Sequence, residues 1–257
     1  MIRRLACIVL VAAAAAVATA GEQVATYRAE GEAARFFDQY DNDGYSLAVS
    51  AGPRGAIELS VRVSDSPLAS RAPFPTGLPR DAALPRAPER DAFVERAVAG
   101  AVSQTAAVER ILSGLAALVR YDPDRVRMQD PTAVFGQRRA NCVGLSELAV
   151  DLLRRARIHA RTVQGVLKSP PRTPGYEPDI GGAYHRWIEI HYPDRGFVFS
   201  DPSASVNGVD ARYLPFGRRA LARPRSLFVA SLTFSGELAY EPVRAGDTTL
   251  RVRASAP

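Results

Sequence analysis

The chain has 257 residues, 47% of them apolar and 23% charged, which is ordinary globular usage and excludes collagen-like, coiled-coil and wholly disordered chains. At this length folding buries roughly 70–75% of the unfolded surface, so the core needs no staples. The net charge is +6, but the cations, all Arg except Lys168, are scattered among acids, whereas a nucleic-acid surface needs them clustered.

Residues 1–20 read as a signal peptide. Arg3 and Arg4 form the positive region, Leu5 to Val17 the apolar stretch, and Ala18-Thr19-Ala20 the cleavage site. The apolar stretch is short for a bilayer span, so an uncleaved anchor is the lesser alternative. Leu5-Ala6-Cys7 stands at the start of the apolar stretch, where a lipoprotein cysteine would follow it. The expectation is export to the periplasm or medium, with no membrane association after cleavage. Loss of Arg3 and Arg4 leaves a charge of +4, and loss of Cys7 leaves Cys142 as the only cysteine. An unpaired cysteine in an exported chain is either an inert buried thiol or a reactive one.

Residues 22–43 are polar and carry no clear period. Asp41-Asn42-Asp43-Gly44 is a turn; a calcium loop would need acids where Gln39 and Ser50 stand. Tyr45, Leu47 and Val49 alternate with small or polar residues, as do Ile57, Leu59, Val61 and Val63, which predicts a β-hairpin within an N-terminal region of residues 21–63. Residues 64–90 carry Pro67, Pro73, Pro75, Pro79, Pro85 and Pro88 and read as an extended connector. The domain of residues 91–257 follows. Val108, Ile111, Leu112, Leu115, Leu118 and Val119 predict an amphipathic helix ending near Tyr121-Asp122-Pro123. A second helix begins after Asn141, a good N-cap, and places Cys142 in its first turn. Short strands are expected over Arg161–Leu167, Tyr184–Tyr192 and Phe197–Asp201, with a Pro- and Gly-rich loop over Pro170–Gly182. Three further candidates lie around Leu227–Phe234, Glu237–Val243 and Thr248–Arg253. Helices followed by antiparallel strands make the fold class α+β.

A cysteine in a helix's first turn meets unpaired amides and the positive end of the dipole, which favour the thiolate. It also lies three residues before the apolar stripe, so a buried thiol fits equally well. A nucleophilic cysteine requires a base. Of the three histidines, His159 sits in a helix-to-strand loop and His191 borders a turn. His185 starts its strand just after the Gly181-Gly182-Ala183 loop; it is a base or a structural residue of the strand. Asp201, at the end of the next strand, is an orienting carboxylate or a turn former. Both are expected to face the Cys142 helix, and, both having odd numbers, they share a face only if opposite residues of the hairpin have an even index sum such as 388, given by a three- or five-residue loop or a bulge at Gly196. Gln137 is a candidate oxyanion donor or a surface glutamine, and Trp187 a site wall or a core residue.

Three segments carry a resemblance. Asn141-Cys142-Val143-Gly144-Leu145 opens a helix ending Leu152-Leu153-Arg154-Arg155-Ala156, followed by Ile158-His159-Ala160-Arg161-Thr162-Val163-Gln164-Gly165-Val166. His185-Arg186-Trp187-Ile188-Glu189 is similar to a histidine strand of the form H-x-W-x-E, and Gly196-Phe197-Val198-Phe199-Ser200-Asp201-Pro202 to an aspartate strand of the form G-W-x-x-x-DP. Together they resemble the core of the transglutaminase-like superfamily over about residues 105–205. Ala140, His159 and Phe197 depart from the usual glycine, proline and tryptophan. The resemblance implies a papain-like α+β core, a cysteine-headed helix packed on an antiparallel sheet, with the N-terminal hairpin and C-terminal strands as additions. It implies a triad in which Cys142 is the nucleophile, His185 the base and Asp201 the orienter.

The expected activity is acyl transfer from amide bonds of a peptide or protein substrate. Hydrolysis, as a peptidase or deamidase, is favoured over amine transfer because water is near 55 M and an amine must be selected by a dedicated site. The alternatives are a cross-linking transglutaminase, a catalytically silent protein-binding module, and an amidase for glycans or an acetyltransferase on the same scaffold. No cofactor or metal is expected, since three scattered histidines and one cysteine make no ligand cluster.

Overall fold

The computed structural model describes residues 21–29, 31–64, 66–76, 83–122, 128–167, 183–217 and 234–235. The proposed signal segment, the expected Pro170–Gly182 loop and most of the C-terminal strand candidates lie outside these residues. The described architecture is α+β, with a cysteine-headed helix packed on an antiparallel sheet.

The N-terminal sheet contains strands β1 (Glu22–Ala29), β2 (Tyr40–Asn42), β3 (Tyr45–Ala51) and β4 (Ile57–Ser64). The expected hairpin is present as β3 and β4, with Tyr45 opposite Val63 and Ala51 opposite Ile57. Asp43 and Gly44 form the two-residue turn between β2 and β3, and Gly44 has φ +77°. β1 was not expected. It pairs along its whole length with β4, and Gln23, Ala25, Tyr27 and Ala29 are buried on one face, with Val24 buried on the other. Gln, Ala and Ala are too weakly apolar for an alternation to stand out. Of the C-terminal strand candidates, Phe234–Ser235 is described, as a short strand β11 beside β1.

The connector ends before its expected bound, because helix α1 (Pro88–Val98) starts at Pro88. Proline at the first helical position lacks only an amide that would be unpaired anyway. Helix α2 (Gln104–Leu118) follows, ending before the expected Tyr121-Asp122-Pro123 because Arg120 and Tyr121 pair as a strand with Arg139 and Ala140. Then come strand β5 (Arg120–Tyr121), an unexpected short helix α3 (Pro131–Gln137) and strand β6 (Arg139–Ala140). Helix α4 (Cys142–Arg155) is the cysteine helix. At its other end Arg155 is clamped by Asp151, by Asp91 of α1 at 2.7 Å and by the Pro85 carbonyl at 3.1 Å.

The second sheet has the order β10-β7-β8-β9, from β7 (Ala160–Leu167), β8 (Ala183–Tyr192), β9 (Gly196–Ser200) and β10 (Tyr213–Pro215). β10 was also unexpected; three residues ending in Pro give no usable period. Strand alternation divides the interior into two cores. Ile188, Ile190, Tyr192 and Val198 pack against Leu145, Leu148 and Leu152 of α4 and Ile111 and Leu115 of α2. Trp187, Phe199, Val163 and Leu214 pack against Tyr27, Leu47, Leu59 and Val61 of the N-terminal sheet. The sheets also join at an edge, where the Asp43 amide donates to the Phe197 carbonyl at 2.9 Å and Arg195 pairs with Asp43.

Gly165 lies opposite His185 in the β7–β8 ladder. A methyl there would overlap the Leu214 carbonyl oxygen and the Trp187 ring. Gly165→Ala is therefore expected to cost about 1–3 kcal/mol through overpacking, read as a lowered Tm in thermal unfolding. An unchanged Tm would mean that the inter-sheet core yields there.

Candidate active site at the start of helix α4

Asn141 caps α4 as expected: its Oδ1 accepts the amides of Val143 at 2.9 Å and Gly144 at 3.4 Å. Gln129, which the sequence did not single out, adds a second acceptor. Its Oε1 takes the amides of Asn141 at 3.2 Å and Gly144 at 3.1 Å. A methyl at Gly144 would overlap that oxygen, so the glycine admits the Gln129 side chain. These acceptors engage the amides on either side of Cys142 and leave its own amide beside the sulfur.

His185 Nε2 lies 2.6 Å from Asp201 Oδ2. The Cys142 thiol lies within interaction range of His185 and of the Arg186 backbone amide. With Nε2 committed to the carboxylate, Nδ1 is the ring nitrogen left for sulfur. Ser146 Oγ donates to the Arg186 carbonyl at 2.9 Å, tying the second turn of α4 to the same point of β8.

The β8–β9 register carries the predicted even sum. Tyr192 stands opposite Gly196 and Ile188 opposite Ser200, across a three-residue loop. Gly196 absorbs the mismatch with φ +79°. The next position in this register sets Asp201 against Trp187 and diagonal to His185. The shared face, however, is not the one that packs on α4. His185 and Asp201 lie on the Trp187 and Phe199 side, toward the N-terminal sheet, because the apolar stripe of α4 occupies the Ile188 and Ile190 side. Only the first residue of the helix reaches the imidazole, past the strand backbone at Arg186.

Asp201 is 1% exposed and accepts four hydrogen bonds. Oδ1 takes the Ser203 amide at 2.8 Å and its hydroxyl at 2.7 Å. Oδ2 takes His185 and the Tyr213 hydroxyl, the latter at 2.7 Å. Ser203 is an Asx-turn partner that an Asp-Pro-Ser run makes readable. Tyr213 comes from β10, and no local signal announces it. Trp187 is fully buried, with its ring stacked on His185 at 6.1 Å and 24°.

The other candidates have different duties. Gln137 is exposed and donates to the carbonyls of Met128 and Arg139. His159 and His191 pack their rings against Phe197. Glu189 is buried, paired with Arg161 and accepting the Tyr40 hydroxyl at 2.7 Å. Glu147 pairs with Arg186 at 2.6 Å. Among the described residues no three His, Cys, Asp or Glu side chains converge as metal ligands would.

Burial opposes charge on all three central groups, and their mutual interactions overcome it. For Cys142, burial pushes the thiol up, but the His185 hydrogen bond and charge and the Arg186 amide bring it below the ordinary thiol value. For His185, burial lowers the pKa, while the Asp201 charge and hydrogen bond, with Cys142 adding to them, push it up to about 10. Burial raises Asp201, yet the imidazolium and Ser203 hold its carboxyl below the usual range. The resting arrangement these shifts favour is thiolate, imidazolium and carboxylate in series.

Residues 91–202 match the family model of the Transglutaminase-like superfamily. No curated protein matches the chain. Among solved structures, the chain is similar to a proposed cysteine protease from Cytophaga hutchinsonii, at 13% identity over 84% of this chain and 83% of that one, with a TM-score of 0.39. It is also similar to the periplasmic domain of TgpA from Pseudomonas aeruginosa, at 15% identity over 71% and 88% of the two chains, with a TM-score of 0.37. A third, a TGase, shows 14% identity over 82% and 55%, with a TM-score of 0.35.

Asp201→Asn removes the counter-charge that raises His185, leaving burial to lower it. A raised histidine stabilises the fold fully below its unfolded value of 6.5 and loses that contribution as pH climbs to about 10. The depressed Asp201 contributes only above the acid range. The Tm deficit of Asp201→Asn is therefore expected to be largest around pH 5–6.5 and to shrink toward pH 10. A deficit that does not vary with pH would contradict the charged pair.

Proposed function

We propose that this protein, whose residues 91–202 match the model of the Transglutaminase-like superfamily, is an exported thiol enzyme that hydrolyses amide bonds of peptides or proteins through an acyl-enzyme. The observation that carries the reading is the half-buried Cys142 beside the buried, hydrogen-bonded His185 and Asp201, the three shifted together toward the ion-paired state.

In this mechanism the Cys142 thiolate attacks the amide carbonyl carbon, and the electron pair of the C=O bond moves onto oxygen. The Cys142 amide at the positive end of α4 is the donor for that oxyanion, a contribution of several kcal/mol. The His185 imidazolium gives its proton to the departing nitrogen as the C–N bond breaks, which leaves a thioester on Cys142 and a neutral imidazole. Water then attacks the thioester carbonyl while His185 takes its proton. Collapse expels the thiolate, restoring the ion pair and releasing a carboxylic acid. Asp201 orients the ring and stabilises its charged form throughout.

Water is favoured over an amine because the acids closest in sequence to these groups are already paired. Glu147 holds Arg186, and Glu189 holds Arg161 and Tyr40. Neither is left to attract an ammonium. Export rests on the charged, apolar and A-x-A succession of residues 1–20. Among the described residues no helix is long and apolar enough to cross a membrane. Amino-terminal sequencing of the protein recovered outside the cytoplasm is expected to begin at Gly21.

Incubation with glutamine-containing peptides and excess primary amine tests the chemistry. Ammonia release or peptide cleavage is expected to exceed amine incorporation, and Cys142→Ala to abolish both. Dominant incorporation at millimolar amine would make the protein a cross-linking enzyme. No reaction in the presence of a reactive Cys142 would move the substrate class to glycans or acyl thioesters.

A further inference from the structure

The family match stops at residue 202, yet the carboxylate at its end is held by a residue beyond it. Tyr213 donates its hydroxyl to Asp201 Oδ2, the same oxygen that faces His185 Nε2. Its ring also lies edge-on to His185 at 5.9 Å and to Trp187 at 5.3 Å. β10, which carries Tyr213, is only three residues long and is fixed from both sides. On one side it pairs with β7, with Tyr213 opposite Leu167. On the other, two buried phenols of the N-terminal sheet reach the backbone of its first residue and of the segment leading into it. Tyr45 donates to the Tyr213 carbonyl at 2.5 Å, and Tyr27 to the Ala211 carbonyl at 2.9 Å. Gln23 adds an acceptor for the Ala211 amide at 3.3 Å.

We infer that Tyr213 is a positioning residue of this site, fixing Asp201 in the plane of the His185 ring, and that the N-terminal sheet positions Tyr213 through Tyr45 and Tyr27. The inference rests on the triad reading proposed above. Without the Tyr213 hydroxyl, Oδ2 has only the imidazole to hold it, and the carboxylate is free to turn about the Ser203 bonds on Oδ1. Burial raises the Tyr213 and Tyr45 phenols well above their ordinary value, so both remain donors across the working pH range. The charged groups facing Tyr213 are Asp201 and the Asp210–Arg212 pair, and across the ring lies His185. The N-terminal sheet is on this reading part of the active-site frame.

The experiment follows Cys142 alkylation by iodoacetamide from pH 5 to 9, read by intact mass, beside thermal unfolding of each protein. Unmodified protein is expected to alkylate well below the ordinary thiol range, and His185→Ala to lose that reactivity. Tyr213→Phe keeps the ring and removes only the hydroxyl. It is expected to slow alkylation at pH 6 by about tenfold, the equivalent of one pKa unit, and to converge with the unmodified protein near pH 9. Tyr45→Phe is expected to shift the profile the same way by a smaller factor. A Tyr213→Phe profile superimposable on the unmodified one, or slowed equally at every pH, overturns the inference and leaves the triad standing. Ordinary thiol behaviour in the unmodified protein, indifferent to His185→Ala, overturns the triad and the inference with it. If Tyr213→Phe does not fold, Tyr45→Phe decides alone: a shifted profile supports the inference and an unshifted one overturns it.

Discussion

A carboxylate buried to 1% exposure is the constraint around which the rest of this molecule is arranged. Removing an ion from water costs several kcal/mol even after relaxation, and the cost is met only when every lone pair finds a donor and a counter-charge stands close by. Asp201 has both. The imidazole supplies the counter-charge, and Ser203 and Tyr213 complete the donor set. To place those partners, the chain needs the β8–β9 hairpin in one register, a β10 strand beyond it and a second sheet to cover the face.

That requirement also explains why the site lies between two sheets. The N-terminal sheet covers the face that carries His185 and Asp201. The body of α4 instead covers the opposite face with leucines, and only its amino-terminal residue comes round to the histidine. The thiol thus sits at the positive dipole end of the helix, while the imidazole keeps a low-dielectric setting against Trp187. In such a setting each charge on the series raises the stability of the next. It is also why single substitutions within the series are expected to move the titration of its neighbours.

The parts legible in the sequence were those with a local physical signature. Asn141 before an apolar 3.6-residue stripe marked α4 and put Cys142 at its start. Parity of residue numbers fixed the hairpin sum that makes His185 and Asp201 share a face. The parity could not say which side of the sheet that face was, because facing is decided by what packs on the sheet and α4 was free to choose. Gln129 and Tyr213 were illegible for a related reason: each acts across the fold on a residue 12 positions away, with no period or turn linking the two. β1 was hidden by alanines at its buried positions, and α1 by a proline that marks a helix start as readily as an extended chain.

The clamp at Arg155 gives α4 a second fixed point. At 1.5 Å per residue, a helix of 14 residues spans about 20 Å, and here both extremities are tied down. The first turns are held by Asn141, Gln129 and the Ser146–Arg186 bond, the last by Asp91 and the Pro85 carbonyl. A rod fastened at both ends has little freedom to slide or roll. The sulfur is therefore carried as a fixed reference, and any adjustment between nucleophile and substrate falls to the surrounding strands and loops.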